Sequence, residues 1–201
     1  MTIIGIDEVG RGSWAGPLVV GAVILSRPID GLKDSKLLSA KQRQKLNSLI
    51  YAEAQAIGLG WVSAAEIDRL GLTRSIRLAI KRALKQIKIK YNQIIIDGNI
   101  NYLSDNPLAK AIIKADVNIA AVSAASIVAK VARDSYMSKA AEIYKGYGFE
   151  THVGYGTASH LVALNQLGVC LLHRRSYKPI RLLIENATRS KESNKITSGN
   201  F

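Results

Sequence analysis

Residues 2–12 read Thr2-Ile3-Ile4-Gly5-Ile6-Asp7-Glu8-Val9-Gly10-Arg11-Gly12, and the rest of the chain is best read outward from them. Thr2 to Val9 is a short run rich in Ile that stops at a glycine, the pattern of a strand. Asp7 follows Ile3 and Gly5 at period two, so a carboxylate stands where one sheet face asks for a core residue. A buried charge needs a partner or a metal. Glu8 faces the other way on a regular strand, and both acids serve one site only if the strand ends or kinks here, which Gly10 and Gly12 allow. Taken alone, residues 5–12 equally fit a polar strand end with a loop behind it.

Two further runs, Leu18–Leu25 and Ala56–Ser63, also read as strands, and three strands so close together suggest an antiparallel meander. Between them, Ser39 can cap a helix over Ser39–Ala54 with apolar positions Leu46, Leu49 and Ile50. A second helix is expected over Ala64–Lys90, broken near Gly71. Tyr91–Asp97, ending in Asp-Gly, reads as a buried strand leaving the sheet into a turn, and Ala111–Asp116 as a second such piece followed by a helix over Ala120–Ala141, with terminal helices over Leu161–Leu167 and Ile180–Ala187. Strands alternating with helices predict parallel pairing in this half. The fold class is therefore α/β: a mixed sheet, antiparallel over the first three strands and parallel afterwards, flanked by helices, with a helical C-terminal part. No internal repeat or linker divides the chain. One domain over 1–185 is expected, with a disordered tail over 186–201, where apolar periodicity fades.

Composition agrees with a globular protein. The 201 residues are 48% hydrophobic and 21% charged, a balance that argues against disorder or a coiled coil over most of the length. A single cysteine, Cys170, excludes an intramolecular disulfide framework and an all-cysteine zinc site. The N-terminal run lacks the charged and apolar regions of a secretory signal, and the longest stretch free of Lys, Arg, Asp and Glu, Thr151–His173, holds histidines and glycines unsuited to lipid. A cytoplasmic protein with no membrane span is expected, acting as a monomer. The net charge is +13 with a pI near 9.9. The tail from Asn186 supplies three basic and one acidic residue, which leaves +11 on the rest. Such a charge suits a polyanion, most simply nucleic acid.

Asp97 and Asp116 each close an apolar run where open α/β sheets place their ligand sites. An isolated Asp also serves as a helix cap or turn former, and that alternative stays open for both. If the acids converge, two carboxylates about 4 Å apart repel by roughly 4 kcal/mol at an effective dielectric near 20. Protons or hard divalent cations relieve this, and oxygen donors suit Mg²⁺ or Mn²⁺. Carboxylates on a basic protein suggest phosphodiester chemistry, in which two such ions activate a water and stabilise the departing oxygen. Gly10-Arg11-Gly12 adds a loop whose backbone can approach a strand and read a ribose 2′-OH, which both donates and accepts; a plain turn with Arg11 in solvent is the competing reading.

The chain resembles the ribonuclease HII family, the type 2 ribonucleases H. The resemblance rests on residues 5–17 (Gly-Ile-Asp-Glu-Val-Gly-Arg-Gly-Ser-Trp-Ala-Gly-Pro), 32–36 (Leu-Lys-Asp-Ser-Lys), 96–98 (Ile-Asp-Gly) and 114–116 (Lys-Ala-Asp). It continues through 122–134 (Val-Ser-Ala-Ala-Ser-Ile-Val-Ala-Lys-Val-Ala-Arg-Asp), 154–157 (Gly-Tyr-Gly-Thr) and 173–177 (His-Arg-Arg-Ser-Tyr). It implies an RNase H-like fold in which Asp7, Glu8, Asp97 and Asp116 form the metal-binding catalytic set. It further implies that Gly10, Arg11 and Gly12 read the 2′-OH and that Tyr155 stacks on the sugar of the next deoxyribonucleotide. The implied partners are RNA–DNA hybrids and duplex DNA containing ribonucleotides, nicked on the 5′ side of the ribonucleotide to leave 3′-hydroxyl and 5′-phosphate ends. The related type HIII enzymes usually show Gly-Lys-Gly at this loop and carry an extra N-terminal domain, so HII is the better match. Leu37, Lys145 and Val153 depart from residues common in the family, a Lys, a Pro and a Lys, and the last puts a phosphate contact in question. A metal-dependent exonuclease with a similar carboxylate set and a non-catalytic nucleic-acid-binding module are the competing functions.

The remaining polar residues have plain readings. Arg74, Arg77, Lys81, Lys85 and Lys88 form a basic stripe that suits a solvated helix face more than a phosphate track. Ser123 and Ser126 are assigned to tight helix packing and left out of the site. Lys36 and Lys130 fit either a supporting role near the acids or ordinary surface. His152, His160 and His173 lack metal-ligand spacing and are expected to pack or bond to backbone, and Trp14 and Trp61 to anchor core or loops.

Overall fold

The computed structural model describes residues 2–32 and 38–197, with side chains through 189; Lys36 and Leu37 lie outside the described residues. Strand β1 (Ile3–Val9) pairs antiparallel with β2 (Leu18–Leu25), which pairs antiparallel with β3 (Ala54–Val62). On its other side β1 pairs parallel with β4 (Gln93–Asp97), and β4 pairs parallel with β5 (Ala109–Ile112). The order β3-β2-β1-β4-β5 is the mixed sheet expected from the alternation of elements. Leu18 to Ile24 are buried throughout because β2 is covered on both faces, which is why it reads as a continuous apolar run.

Around the sheet lie α1 (Ala40–Glu53), α2 (Ala64–Leu70), α3 (Leu72–Leu84), α4 (Ala115–Asn118), α5 (Ala120–Ile143), α6 (Phe149–His152), α7 (Ala158–Leu167) and α8 (Lys178–Thr197). Ser39 caps α1 as predicted, in a capping box with Gln42. Helix α3 packs Ile76, Ala79, Ile80 and Ala83 against Ile4, Ile6, Val20 and Ala22. Helix α5 covers the opposite face, where Ala124, Ala125 and Val128 cluster with Val23 and Ile50. Its approach depends on Gly5: a Cβ there would collide with the backbone of Ala121 and Val122. The alanine-rich face of α5 and the glycine opposite it thus set the distance between helix and sheet.

Three elements differ from expectation. The helix expected over 64–90 is broken at Gly71 as foreseen but ends at Leu84; Gln86 then donates through Nε2 to the carbonyls of Arg82 and Leu59, tying the helix end to β3. The strand expected over Ala111–Asp116 stops at Ile112, because Lys114 adopts φ 57° and turns the chain into α4, so Asp116 sits in a helical turn rather than at a strand end. Finally, α8 continues to Thr197 through the stretch expected to be disordered. Helix-favouring Arg, Glu and Lys in that stretch, and the exposed Arg181–Glu185 pair at i,i+4 in the turns just before it, suit a continued helix.

Candidate active site

The C-terminal end of β1 opens into a cleft of about 420 Å³ lined by Asp7, Glu8, Val9, Gly10, Arg11, Gly12, Asp97, Ser126, Lys130 and Tyr155. Asp7 and Glu8 face opposite sides of the sheet along β1, yet both reach this cleft because the strand ends at Val9 and Gly10 turns the chain with φ +87°. Asp97, the last residue of the neighbouring parallel strand β4, adds a third carboxylate. Its Oδ1 accepts from the backbone N–H groups of Ala115 (2.8 Å) and Asp116 (3.3 Å).

Asp116 is therefore fastened directly to Asp97, but it is buried and is not among the residues lining the cleft. Its carbonyl accepts from Ser123 Oγ at 2.6 Å, which fastens α4 to α5. Ser123, assigned to packing alone, thus also holds the turn that supports Asp97.

Burial pushes the Asp7 carboxyl up from 3.8 to about 7, and the nearby Glu8 and Asp97 charges add to the rise. Hydrogen bonds from Ser126 and from the Glu8 N–H, at 2.7 Å to Oδ1, act in the opposite sense. Glu8 is raised as well, mainly by burial and further by Asp97, while Arg11 opposes the rise with Nη1 3.6 Å from Glu8 Oε1. Burial is thus the main reason both acids resist ionisation, and the neighbouring carboxylates add to it. Lys130, which also lines it, is committed to Asp134 at 2.9 Å.

Among the described residues no three Asp, Glu, His or Cys side chains are gathered closely enough to make a ready metal cage. The donor set nevertheless fits a hard cation. Mg²⁺ is commonly held by one or two carboxylates and completes its shell with waters and substrate phosphate oxygens, so an open acidic cleft suits it.

Two buried arginines shape the walls. Arg133 donates to the carbonyls of Pro17 (2.9 Å), Ala15 (3.1 Å) and Val153 (2.9 Å), and its guanidinium lies 5.5 Å from the centre of the Tyr155 ring. Arg174 donates to Gly16 O and, at 3.2 Å, to Arg11 O, which also accepts from Tyr177 Oη at 2.6 Å. Burial lowers both guanidinium groups, Arg133 to about 10. Neither arginine nor Ser126 was singled out from sequence as a site residue. A signal existed: Ser126, Lys130 and Asp134 recur at steps of four on a helix otherwise rich in Ala and Val.

The other expectations are met in part. Arg77 of the basic stripe pairs with Asp105 at 2.8 Å, while Arg74, Lys81 and Lys85 are exposed. His152, His160 and His173 are buried and bond to backbone and to one another. Trp14 packs beside His160 and Trp61 beside Tyr136. No helix among the described residues is long and apolar enough to cross a membrane.

Known proteins share this fold and much of this sequence. The family model for ribonuclease HII matches residues 4–180. Ribonuclease HII of Nitrosococcus oceani is 47% identical over 185 residues, spanning 91% of this chain and 92% of the relative. Among solved structures, ribonuclease H2 from Pyrococcus horikoshii superposes with a TM-score of 0.79 at 29% identity, covering 92% of this chain and 98% of that one. Bst-RNase HIII in complex with Mn²⁺ shares the fold, with a TM-score of 0.71 at 21% identity over 94% of this chain and 71% of that one. The mixed sheet with its acidic cleft thus defines a phosphodiester hydrolase of the ribonuclease H fold. Within that class, the chain belongs to the ribonuclease HII family and is an endoribonuclease acting on RNA–DNA hybrids.

Proposed function

We propose that this ribonuclease cuts on the 5′ side of ribonucleotides, both in hybrids and where they are embedded in duplex DNA, leaving 3′-hydroxyl and 5′-phosphate ends, with Mg²⁺ or Mn²⁺ as cofactor. The observation that carries the reading is that Asp7, Glu8 and Asp97, the Gly10-Arg11-Gly12 loop and Tyr155 line one cleft. Divalent ions, when bound, supply activation of the attacking water and stabilisation of the departing oxygen. Asp7, Glu8 and Asp97 would hold them, with Asp116 contributing from behind Asp97.

The chain's own groups set position and selectivity. Arg11's carbonyl is occupied by Arg174 and Tyr177, so the loop is held rigid and the backbone of Gly10 and Gly12 is left to meet the 2′-OH. Arg11 offsets the charge of Glu8 and offers a cation to a phosphate. Tyr155, backed by the Arg133 guanidinium, presents a ring to the adjacent deoxyribose, which favours an RNA-to-DNA junction. All these groups belong to one copy of the chain, so the cleft needs no residue from a second copy. The test is incubation of the purified protein with a duplex bearing one internal ribonucleotide, in Mg²⁺ and then in Mn²⁺, with product ends mapped. A single nick 5′ to the ribonucleotide is expected; a ladder from the duplex ends, or no cleavage with either ion, overturns the reading.

A further inference from the structure

The Tyr155 ring leans on Arg133, but its backbone is held from the other side, by α7. The Tyr155 carbonyl accepts from the Thr157 N–H at 2.9 Å and lies 2.9 Å from Nδ1 of His160, in the first turn of α7. A carbonyl only accepts, so Nδ1 of His160 carries the proton and its Nε2 must accept. His173 Nε2 stands 3.1 Å from that atom and therefore donates. His173 Nδ1 then accepts, and it faces the Cys170 N–H at 2.9 Å and the Cys170 thiol at 3.1 Å. Each proton in this chain has one arrangement that satisfies every partner. Burial pushes both imidazoles down, His173 to about 4, which keeps them neutral around pH 7.

The same loop is closed a second time. His152 Nε2 lies 2.7 Å from the Tyr147 carbonyl and its Nδ1 accepts from the Gly154 N–H, while its own carbonyl accepts from the Tyr155 N–H. Its ring stacks on His160 at 4.3 Å between centroids. Tyr155 is thereby gripped through its N–H, its carbonyl and its ring.

Resting on the reading of Tyr155 as the ring that meets the junction sugar, we infer that His160 is a positioning residue for substrate selectivity. It acts through the Nδ1–H bond to the Tyr155 carbonyl, and His173 and Cys170 keep it in the tautomer that can donate. His160 touches neither the carboxylates nor the cleft; its effect is to hold Tyr155 at one height above the substrate.

The measured quantity is the ratio of kcat/KM on a duplex with one ribonucleotide to kcat/KM on a long hybrid, in wild type, Tyr155→Ala, His160→Asn and His160→Gln. The amide nitrogen of Asn falls near Nδ1 and that of Gln near Nε2, so only Asn preserves the bond to the Tyr155 carbonyl. His160→Gln should lower the ratio about tenfold, the worth of one buried hydrogen bond, and His160→Asn should keep it. Equal ratios in the two variants, alongside a reduced ratio in Tyr155→Ala, would overturn the positioning role alone. An unchanged ratio in Tyr155→Ala would overturn the reading of Tyr155 on which it rests. Independently of how the variants fold, ¹⁵N NMR of the wild-type imidazoles should find the proton on Nδ1 of His160 and Nε2 of His173; the reverse tautomers would refute the inference.

Discussion

Asp7 offers the sharpest test of the site's electrostatics. Its carboxyl is raised from 3.8 to about 7 by burial and by the charges of Glu8 and Asp97. A carboxyl raised on folding binds its proton more tightly in the folded than in the unfolded state. Between these two values stability therefore falls as pH rises, and the full penalty is present above about pH 7. A rise of this size corresponds to about 4 kcal/mol at 1.36 kcal/mol per pH unit. Asp7→Asn resembles the protonated acid and can still accept from the Glu8 N–H, so it should escape the penalty. In metal-free buffer, urea unfolding should show the variant more stable than wild type by up to about 4 kcal/mol at pH 8, with the gap closing steadily towards pH 4. Added Mg²⁺ should raise the wild-type midpoint at pH 8 more than that of the variant, since an ion that binds only the folded state stabilises it by RT ln(1 + L/Kd), with L the free ion concentration. A gap that is flat with pH, or a wild type more stable than Asp7→Asn at pH 8, would refute the claim that burial in the cleft penalises the Asp7 carboxylate.

Asp97→Asn should lower cleavage of a hybrid by at least about a hundredfold, as expected for a group whose charge is worth several kcal/mol to the reaction, while gel-shift binding of the hybrid stays largely intact. Gly5→Ala should cost about 1–3 kcal/mol through overpacking against α5, read as a lower denaturation midpoint. Hybrid binding should weaken steeply as salt rises, because each neutralised phosphate contributes about 0.9 to the slope of log K against log salt for B-form duplex; a flat titration would argue against phosphate contacts by the basic surface.

Much of the fold was legible because local rules agreed with one another. β2 fell at Leu18–Leu25 as expected, since both covered faces demand apolar residues, and the break at Gly71 and the cap at Ser39 were visible as residue types suited to those places. Asp116 was misplaced because Ala111-Ile112-Ile113 looks like a strand, whereas Ile113 is exposed and Lys114 takes a left-handed conformation that its residue type does not announce. Asp7, Glu8 and Asp97 could be found because carboxylates at strand ends violate a local pattern. Arg133 and Arg174 could not, since an arginine followed by polar residues reads as surface, and only the folded chain shows their guanidinium groups buried among carbonyls 20–163 residues away.

That difference follows from what each group has to satisfy. A carboxylate lining the cleft has its sequence context set by the strand that delivers it. A buried guanidinium must instead find acceptors within the fold, and Arg133 and Arg174 find theirs in the loop around residues 11–17, whose carbonyls belong to neither strand nor helix. The Gly10-Arg11-Gly12 loop is therefore a tertiary product: Gly10 lets the chain turn, but Arg174, Tyr177 and Arg133 determine where Arg11 and Ala15 to Pro17 come to rest. Because Arg133 also holds the Val153 carbonyl and backs the Tyr155 ring, the loop and the tyrosine are referenced to the same side chain. The loop and the tyrosine therefore share one anchor on α5, while Arg174 and Tyr177 fasten the loop a second time from outside that helix.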